Sequence, residues 1–228
     1  MANKNTKDRF ETREENIVET VSTAEKFFNE NKKCIWGSVI AVLVIGLGIF
    51  AYYNFVYEKQ VAEALEQAYP AETLFANGEY ELALNGDGNS KGFIKIIDEY
   101  SGTKTANIAK LYAGLSYAKI DSVSEAIKFL EDFSTQDDDI VSPAAIAALG
   151  NLYIQNGDNE KGIKTLIEAA NKANNDAVSP VFLLQAGQVY ESMNQNDKAV
   201  ELYNKIKTVY YRSPISQDID KYIERATK

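Results

Sequence analysis

The sequence predicts an all-α protein: a single N-terminal transmembrane helix, then an α-solenoid of stacked helix pairs, closed by a C-terminal capping helix. Three observations predict it. An uncharged apolar run extends from Cys34 to Tyr57, a pattern of small and aromatic residues returns every 36 to 37 residues beyond it, and the last apolar stripe is one-sided. These divide the chain into a cytoplasmic segment with an amphipathic helix (1–33), the transmembrane helix (34–57), an interrupted first repeat (58–100), three full repeats (101–214) and the cap (215–228).

Composition limits the chemistry before any element is considered. The 228 residues include no histidine and one cysteine, so the commonest general base, the commonest metal ligand and any internal disulfide are missing. Neither a cofactor nor catalysis is expected. A net charge of -9 argues against nucleic acid as partner, because phosphate binding needs clustered Lys and Arg.

In the first segment Phe10, Ile17, Val21, Ala24 and Phe28 recur at multiples of three and four and draw one apolar stripe, with Phe27 beside it. Seven basic residues balance seven acidic ones there. The stripe fits a helix at the membrane surface or one that docks on a membrane partner. From Cys34 the chain reads CIWGSVIAVLVIGLGIFAYYNFVY without a charge, enough for a helical span. Trp36 at one end and Tyr52, Tyr53 and Tyr57 at the other suit the two interfaces. Lys26, Lys32 and Lys33 precede the span and only Lys59 closely follows it, so the N-terminus is expected in the cytoplasm and the remainder outside, periplasmic in a Gram-negative cell. The expected location is thus the bacterial inner membrane, single-pass.

Between Phe75 and Tyr100 a helical pattern stops at NGDGNS (Asn85–Ser90) and restarts at KGFIKIIDEY. Glycines that break and restart a helix account for this stretch, with Asn89 or Ser90 available to cap the new helix. A calcium loop needs more oxygen ligands than Asp87 supplies before Lys91, and a phosphate cradle needs a lysine and hydroxyl after its glycines.

Beyond it AGLSY (113–117), LGNLY (149–153) and AGQVY (186–190) each place a small residue three positions before a tyrosine, and a second small residue follows nine positions after it at Ala126, Gly162 and Ala199. The phase holds three times. At these residues the chain resembles the tetratricopeptide repeat family, whose paired antiparallel helices approach most closely at such small residues. Leu149, Gly150, Tyr153, Gly157, Asp158, Gly162 and Leu166 fit that motif best. Pro143 and Pro180 open first helices, where the missing N–H costs nothing. Pro214 opens a last helix with Ile215, Ile219, Tyr222, Ile223 and Ala226 on one face, as a solenoid cap requires.

The resemblance implies that first helices line a concave face. Those positions are Ile108, Leu111, Leu115 and Ala118, then Ala144, Ala147, Asn151 and Ile154, then Val181, Leu184, Gln188 and Glu191. They lack the Lys, Arg and Asn cluster with which some members grip a terminal carboxylate. An apolar or unfolded segment suits them, or one of the protein's own terminal helices fills part of the groove. More narrowly, EKFFNENKK (25–33) before one anchor, followed by an acidic repeat domain, resembles the ancillary SecYEG translocon subunit (YfgM-like) family, in a Bacteroidota-type variant carrying the NGDGNS loop. This implies as partners the Sec translocon subunits, a membrane-anchored isomerase-like chaperone and nascent exported proteins. Two functions follow as expectations: a chaperone-type accessory factor at the translocon, or a structural scaffold for another envelope complex.

Overall fold

The computed structural model describes the backbone of residues 2–228 and the side chains of residues 26–28 and 30–228. Phe10, Ile17, Val21 and Ala24 lie outside the described side chains. All described secondary structure is helical, in agreement with the expected class: α1 (Ala2–Tyr52), a π turn (Tyr53–Tyr57), α2 (Glu58–Ala76), α3 (Tyr80–Asn85), α4 (Phe93–Glu99), α5 (Lys104–Lys119), α6 (Val123–Glu131), α7 (Val141–Gln155), α8 (Asn159–Ala173), α9 (Ser179–Ser192), α10 (Asn196–Val209) and α11 (Pro214–Thr227). The chain divides into two units, residues 1–59 and residues 60–228.

In the first unit α1 carries the uncharged run, and its large apolar side chains are exposed: Trp36, Leu43, Leu47 and Phe50 are each more than half accessible. Apolar all round, this stretch differs from the amphipathic helices of the second unit. The helix from Glu30 onward is long and apolar enough to cross a membrane.

In the second unit each helix pair is made the same way. The first helix ends in a residue of positive φ, namely Gly78, Asp121, Gly157 and Asn194. Glycine adopts this conformation freely, and Asp and Asn are the side chains that tolerate it best. The next residue then donates its N–H back across the turn: Glu79 to Leu74 O, Ser122 to Tyr117 O, Asp158 to Tyr153 O and Gln195 to Tyr190 O, all at 2.8–2.9 Å. This is the six-to-one bond of a Schellman turn, and it satisfies a carbonyl that the helix end leaves free. In the last three pairs the motif tyrosine is therefore also the acceptor that reverses the chain.

Five residues beyond each positive φ stands a fully buried small residue, Ala83, Ala126, Gly162 or Ala199, and twelve residues before that stands its opposite, Ala71, Gly114, Gly150 or Gly187. A Cβ built on Gly150 would lie 3.0 Å from the Gly162 carbonyl oxygen, and one on Gly114 would lie 3.2 Å from that of Ala126. The backbones meet here, so a side chain on either helix would push them apart.

The entry to each first helix repeats as well. Thr103, Ser142, Ser179 and Ser213 are buried hydroxyls with partners: Thr103 Oγ1 accepts from Ala106 N and donates to Tyr100 O, Ser179 Oγ accepts from Asn175 N and donates to Ala170 O, and Ser213 Oγ accepts from Ile215 N. Ser142 Oγ accepts from Gln136 N and donates to Asp138 Oδ2, and that hydroxyl, with backbone N–H groups of Ser142, Ile140 and Val141, holds the Asp138 carboxyl below its ordinary value. In three of the four cases proline follows directly, where a helix start needs no N–H.

The interrupted second helix of the first pair differs in mechanism from the expectation. Neither Asn89 nor Ser90 caps α4, whose N-cap is Gly92 without a side-chain bond. Instead Asp87 Oδ1 accepts from Asn89 N, Ser90 N and Ser90 Oγ at 2.7–2.9 Å and folds the excursion onto itself. Its carboxyl is held down mainly by the Ser90 hydroxyl and backbone. A Cβ on Gly92 would overlap Leu84 O, so the two ends of the loop touch and only glycine fits. Lys91 Nζ then ties the loop to α4 through Glu99 (2.6 Å) and the Tyr100 hydroxyl (2.9 Å).

Three apolar clusters fill the solenoid in sequence: one around Ala71, Leu84, Phe93 and Ile96, one around Leu130, Phe133 and Leu152, and the largest around Leu166, Leu183, Tyr203 and Ile219. Each is built from consecutive helices, as in a quasi-one-dimensional stack.

Candidate functional site

Taking Ala71, Gly114, Gly150 and Gly187 as common reference points, the inward positions of α5, α7 and α9 fall into rows: Ile108, Ala144 and Val181; Leu111, Ala147 and Leu184; Leu115, Asn151 and Gln188; Ala118, Ile154 and Glu191. Beside these rows one hydrogen bond links α7 to α9, from Asn151 Nδ2 to Gln185 Oε1 at 3.4 Å.

The rows are not equally available. Leu111 and Ala147 are buried in the core, at 9% and 3% exposure. Ile108 and Leu115 pack half-buried against the middle cluster, and Ile154, Val181 and Leu184 pack half-buried against the largest one. Ala144, Asn151 and Gln188 are exposed. The accessible surface is thus an amide and small aliphatic strip over half-buried branched side chains, less apolar than the residue types alone suggested.

Its charge is as informative as its hydropathy. α7 contains no charged residue from Val141 to Gln155, and α9 contains only Glu191. Glu191 is spent within the fold. Arg225 of α11 donates Nε to Glu191 Oε2 and Nη2 to Oε1, each at 2.8 Å, and the Tyr203 hydroxyl donates to Oε1 as well. The Arg225 guanidinium, then the Tyr203 hydroxyl, hold the Glu191 carboxyl below its ordinary value, while burial followed by the Glu191 hydrogen bond raises the Tyr203 hydroxyl. The last helix therefore occupies the end of the inward face at Glu191.

A second carboxylate is used alike between pairs. Glu131 accepts from the Tyr153 hydroxyl at 2.5 Å and pairs with Lys161 at 3.4 Å, whose ammonium sits 3.8 Å from the Tyr153 ring centroid. The Tyr153 hydroxyl, then Lys161, lower the Glu131 carboxyl. Sequence reading missed these carboxylate, tyrosine and cation groups. The two tyrosines stand in different registers, Tyr153 on a first helix three residues after Gly150 and Tyr203 on a second helix four residues after Ala199, so no repeat marks them.

Among the described residues no group of His, Cys, Asp or Glu is placed to hold a metal ion, and every buried side-chain nitrogen or oxygen has a hydrogen-bond partner. The surface offers contacts for a polypeptide, through amides and small apolar side chains. A tetratricopeptide repeat-like domain model matches residues 25–211. The chain belongs to the tetratricopeptide repeat-like domain family.

Solved structures agree on the fold of this tetratricopeptide repeat-like protein. It is similar to the nearly identical TPR-like repeats of a putative kinesin light chain from Podosopora anserina, with 16% identity and a TM-score of 0.55, covering 73% of this chain and 86% of that one. It is also similar to MamA, with 20% identity and a TM-score of 0.50, covering 69% of this chain and 92% of that one. No curated protein sequence matches it. The family and fold make this a protein–protein interaction scaffold in the general sense.

Proposed function

We propose that this tetratricopeptide repeat-like protein is anchored in the bacterial inner membrane by α1 and that its solenoid, on the periplasmic side, works at the Sec translocon as an accessory, chaperone-type factor holding emerging chains. The observation that carries the reading is the uncharged inward strip of α7 and α9 in a chain of net charge -9. An unfolded exported chain presents backbone amides and scattered apolar side chains. Asn151, Gln185 and Gln188 offer donors and acceptors to the first, and Ala144, Val181 and Leu184 offer shallow contact to the second. The absence of a free charge avoids the desolvation cost that such a surface would otherwise impose on neutral clients. The exposed apolar length of α1 supports the anchor, with the lysine bias giving its direction.

The translocon and an isomerase-like chaperone as neighbours rest on the resemblance of EKFFNENKK and the overall layout, with Phe27 and Phe28 exposed at 64% and 44% on the segment that would meet a membrane partner. A scaffold for another envelope complex is the second reading, favoured by the burial of Leu111 and Ala147 and the sequestration of Glu191, which leave a shallower surface suited to a folded partner. A photoreactive residue at exposed Gln188 separates them in cells. Adducts to many nascent exported chains are expected. A single adduct to one resident folded protein would establish the scaffold instead.

A further inference from the structure

α2 has no helix pair in front of it within the solenoid, and its sequence answers that at two positions but not at two others. Counted from Ala71, Glu66 stands where Ala109, Ala145 and Phe182 are buried in the later pairs, and Thr73 stands where Ser116 and Leu152 are buried. Glu66 has replaced apolar side chains, and Thr73 stands exposed, where the covering pair is missing. Leu65 and Tyr69, in the places of Val181 and Gln185, remain apolar and are 65% and 72% exposed, the highest values for large apolar side chains among the described residues of the second unit. They lie four residues apart and so form one ridge.

The surroundings of that ridge are anionic. From Glu58 to Ser90 seven acidic residues accompany one lysine, Lys59. Glu63 accepts from the Tyr100 hydroxyl at 3.0 Å, whereas Glu66 and Glu72 have no ion pair among the described residues. Partial burial raises the Glu72 carboxyl with no cation to offset it.

We infer that the Leu65 and Tyr69 ridge of α2, with the carboxylates of Glu66 and Glu72 beside it, docks a cationic amphipathic helix of a separate protein. A ridge at helical spacing is complementary to a groove between side chains of a second helix, and Lys or Arg flanking that helix's apolar stripe would neutralise the two carboxylates. Anionic phospholipid is disfavoured by the same carboxylates. Symmetric pairing with a second copy would set Glu66 and Glu72 against their own counterparts.

The test uses the full chain in uncharged maltoside micelles and two labelled synthetic helices of about three heptads, both with Leu at the seam positions and flanked either by Lys or by Glu. The Lys helix should bind about tenfold more tightly than its twin, and the difference should shrink at high salt. Glu66→Lys with Glu72→Lys should reverse the preference. Leu65→Ser with Tyr69→Ser should weaken binding of the Lys helix about tenfold, and because micelle partitioning is common to all variants it cancels. Equal affinity for the two helices, or binding untouched by the serine pair, overturns the inference. So does a photoreactive residue at Tyr69 that, in liposomes, crosslinks to phospholipid or to a second copy of the chain.

Discussion

Arg225 on the last helix holds Glu191 on α9 through two parallel hydrogen bonds of 2.8 Å, across 34 residues of sequence. Bidentate geometry of this kind fixes direction as well as distance. It closes the solenoid by fastening α11 over the apolar cluster that contains Ile219 and Ala226.

The first prediction follows from that pair. Arg225→Ala should cost about 1 kcal/mol, because the guanidinium is largely solvated even though Glu191 is not. The sign with pH is set by the lowered Glu191 carboxyl: its contribution is complete above the ordinary value of 4.5 and is lost as pH falls below it through the folded value. Acid titration of the wild type should therefore show a steeper loss of stability below that value than Arg225→Ala, in which Glu131, Asp138 and the Tyr203 bond to Glu191 still respond to acid. Parallel acid profiles for the two proteins would refute the latch.

Helix approach gives the second. Gly150→Leu sets its Cβ 3.0–3.2 Å from Gly162 O and the Leu166 side chain and backbone and adds further carbons beyond it, and overpacking of this kind costs about 1–3 kcal/mol. Gly162→Ala should also destabilise despite alanine's better helix propensity, since its Cβ would meet the Gly150 carbonyl oxygen at 2.7 Å, a backbone atom that cannot move aside alone. Thermal melts followed by circular dichroism measure both. An unchanged melt for Gly150→Leu would mean that α7 and α8 do not meet there.

What could be read in the sequence was what repeats in identity. Gly114 and Gly150 recur because the facing backbone leaves little room and Gly187 because the Tyr203 ring fills the space of a Cβ, and their phase with Tyr117, Tyr153 and Tyr190 marks each first helix. The turn residue was less visible, because Gly157, Asp121 and Asn194 solve the same positive φ with three different side chains. The buried hydroxyls were overlooked for another reason. Ser142, Ser179 and Ser213 precede Pro143, Pro180 and Pro214, and proline alone explained a helix start, although Ser142 and Ser179 bond back to the preceding segment and Ser213 caps its own helix. Around the candidate site, helical spacing assigns a residue to the inward face but does not say how deeply it lies. Leu111 and Ala147 share rows with Leu184 and yet are buried, because exposure depends on the size of neighbours on the adjoining helices.

Topology can be tested apart from function. The proposed orientation, with the N-terminus inward, rests on Lys26, Lys32 and Lys33 before the apolar run against Lys59 after it. Protease added to spheroplasts should digest residues 58–228 and leave the segment before Cys34 protected. Protection of the solenoid would reverse the orientation and remove the periplasmic part of the proposed function.

The last prediction uses the unequal depth of the inward rows to separate folding from binding. Leu111→Glu puts a carboxylate into a position only 9% exposed, with no cation waiting, and should destabilise the solenoid by several kcal/mol or unfold it. It is therefore unsuitable as a probe of client capture. Gln188→Glu and Ala144→Glu change exposed positions on the same face and should leave helicity and melting close to wild type. If the uncharged strip holds emerging chains, the second pair should nonetheless reduce capture of a reduced, unfolded secretory protein, because each carboxylate must be desolvated wherever the client covers it. Capture assays on the full chain in nanodiscs, run beside melts of the same samples, make the comparison. Undiminished capture by Gln188→Glu with Ala144→Glu would show that clients are held elsewhere, and capture lost only in Leu111→Glu would reduce the groove to a matter of folding.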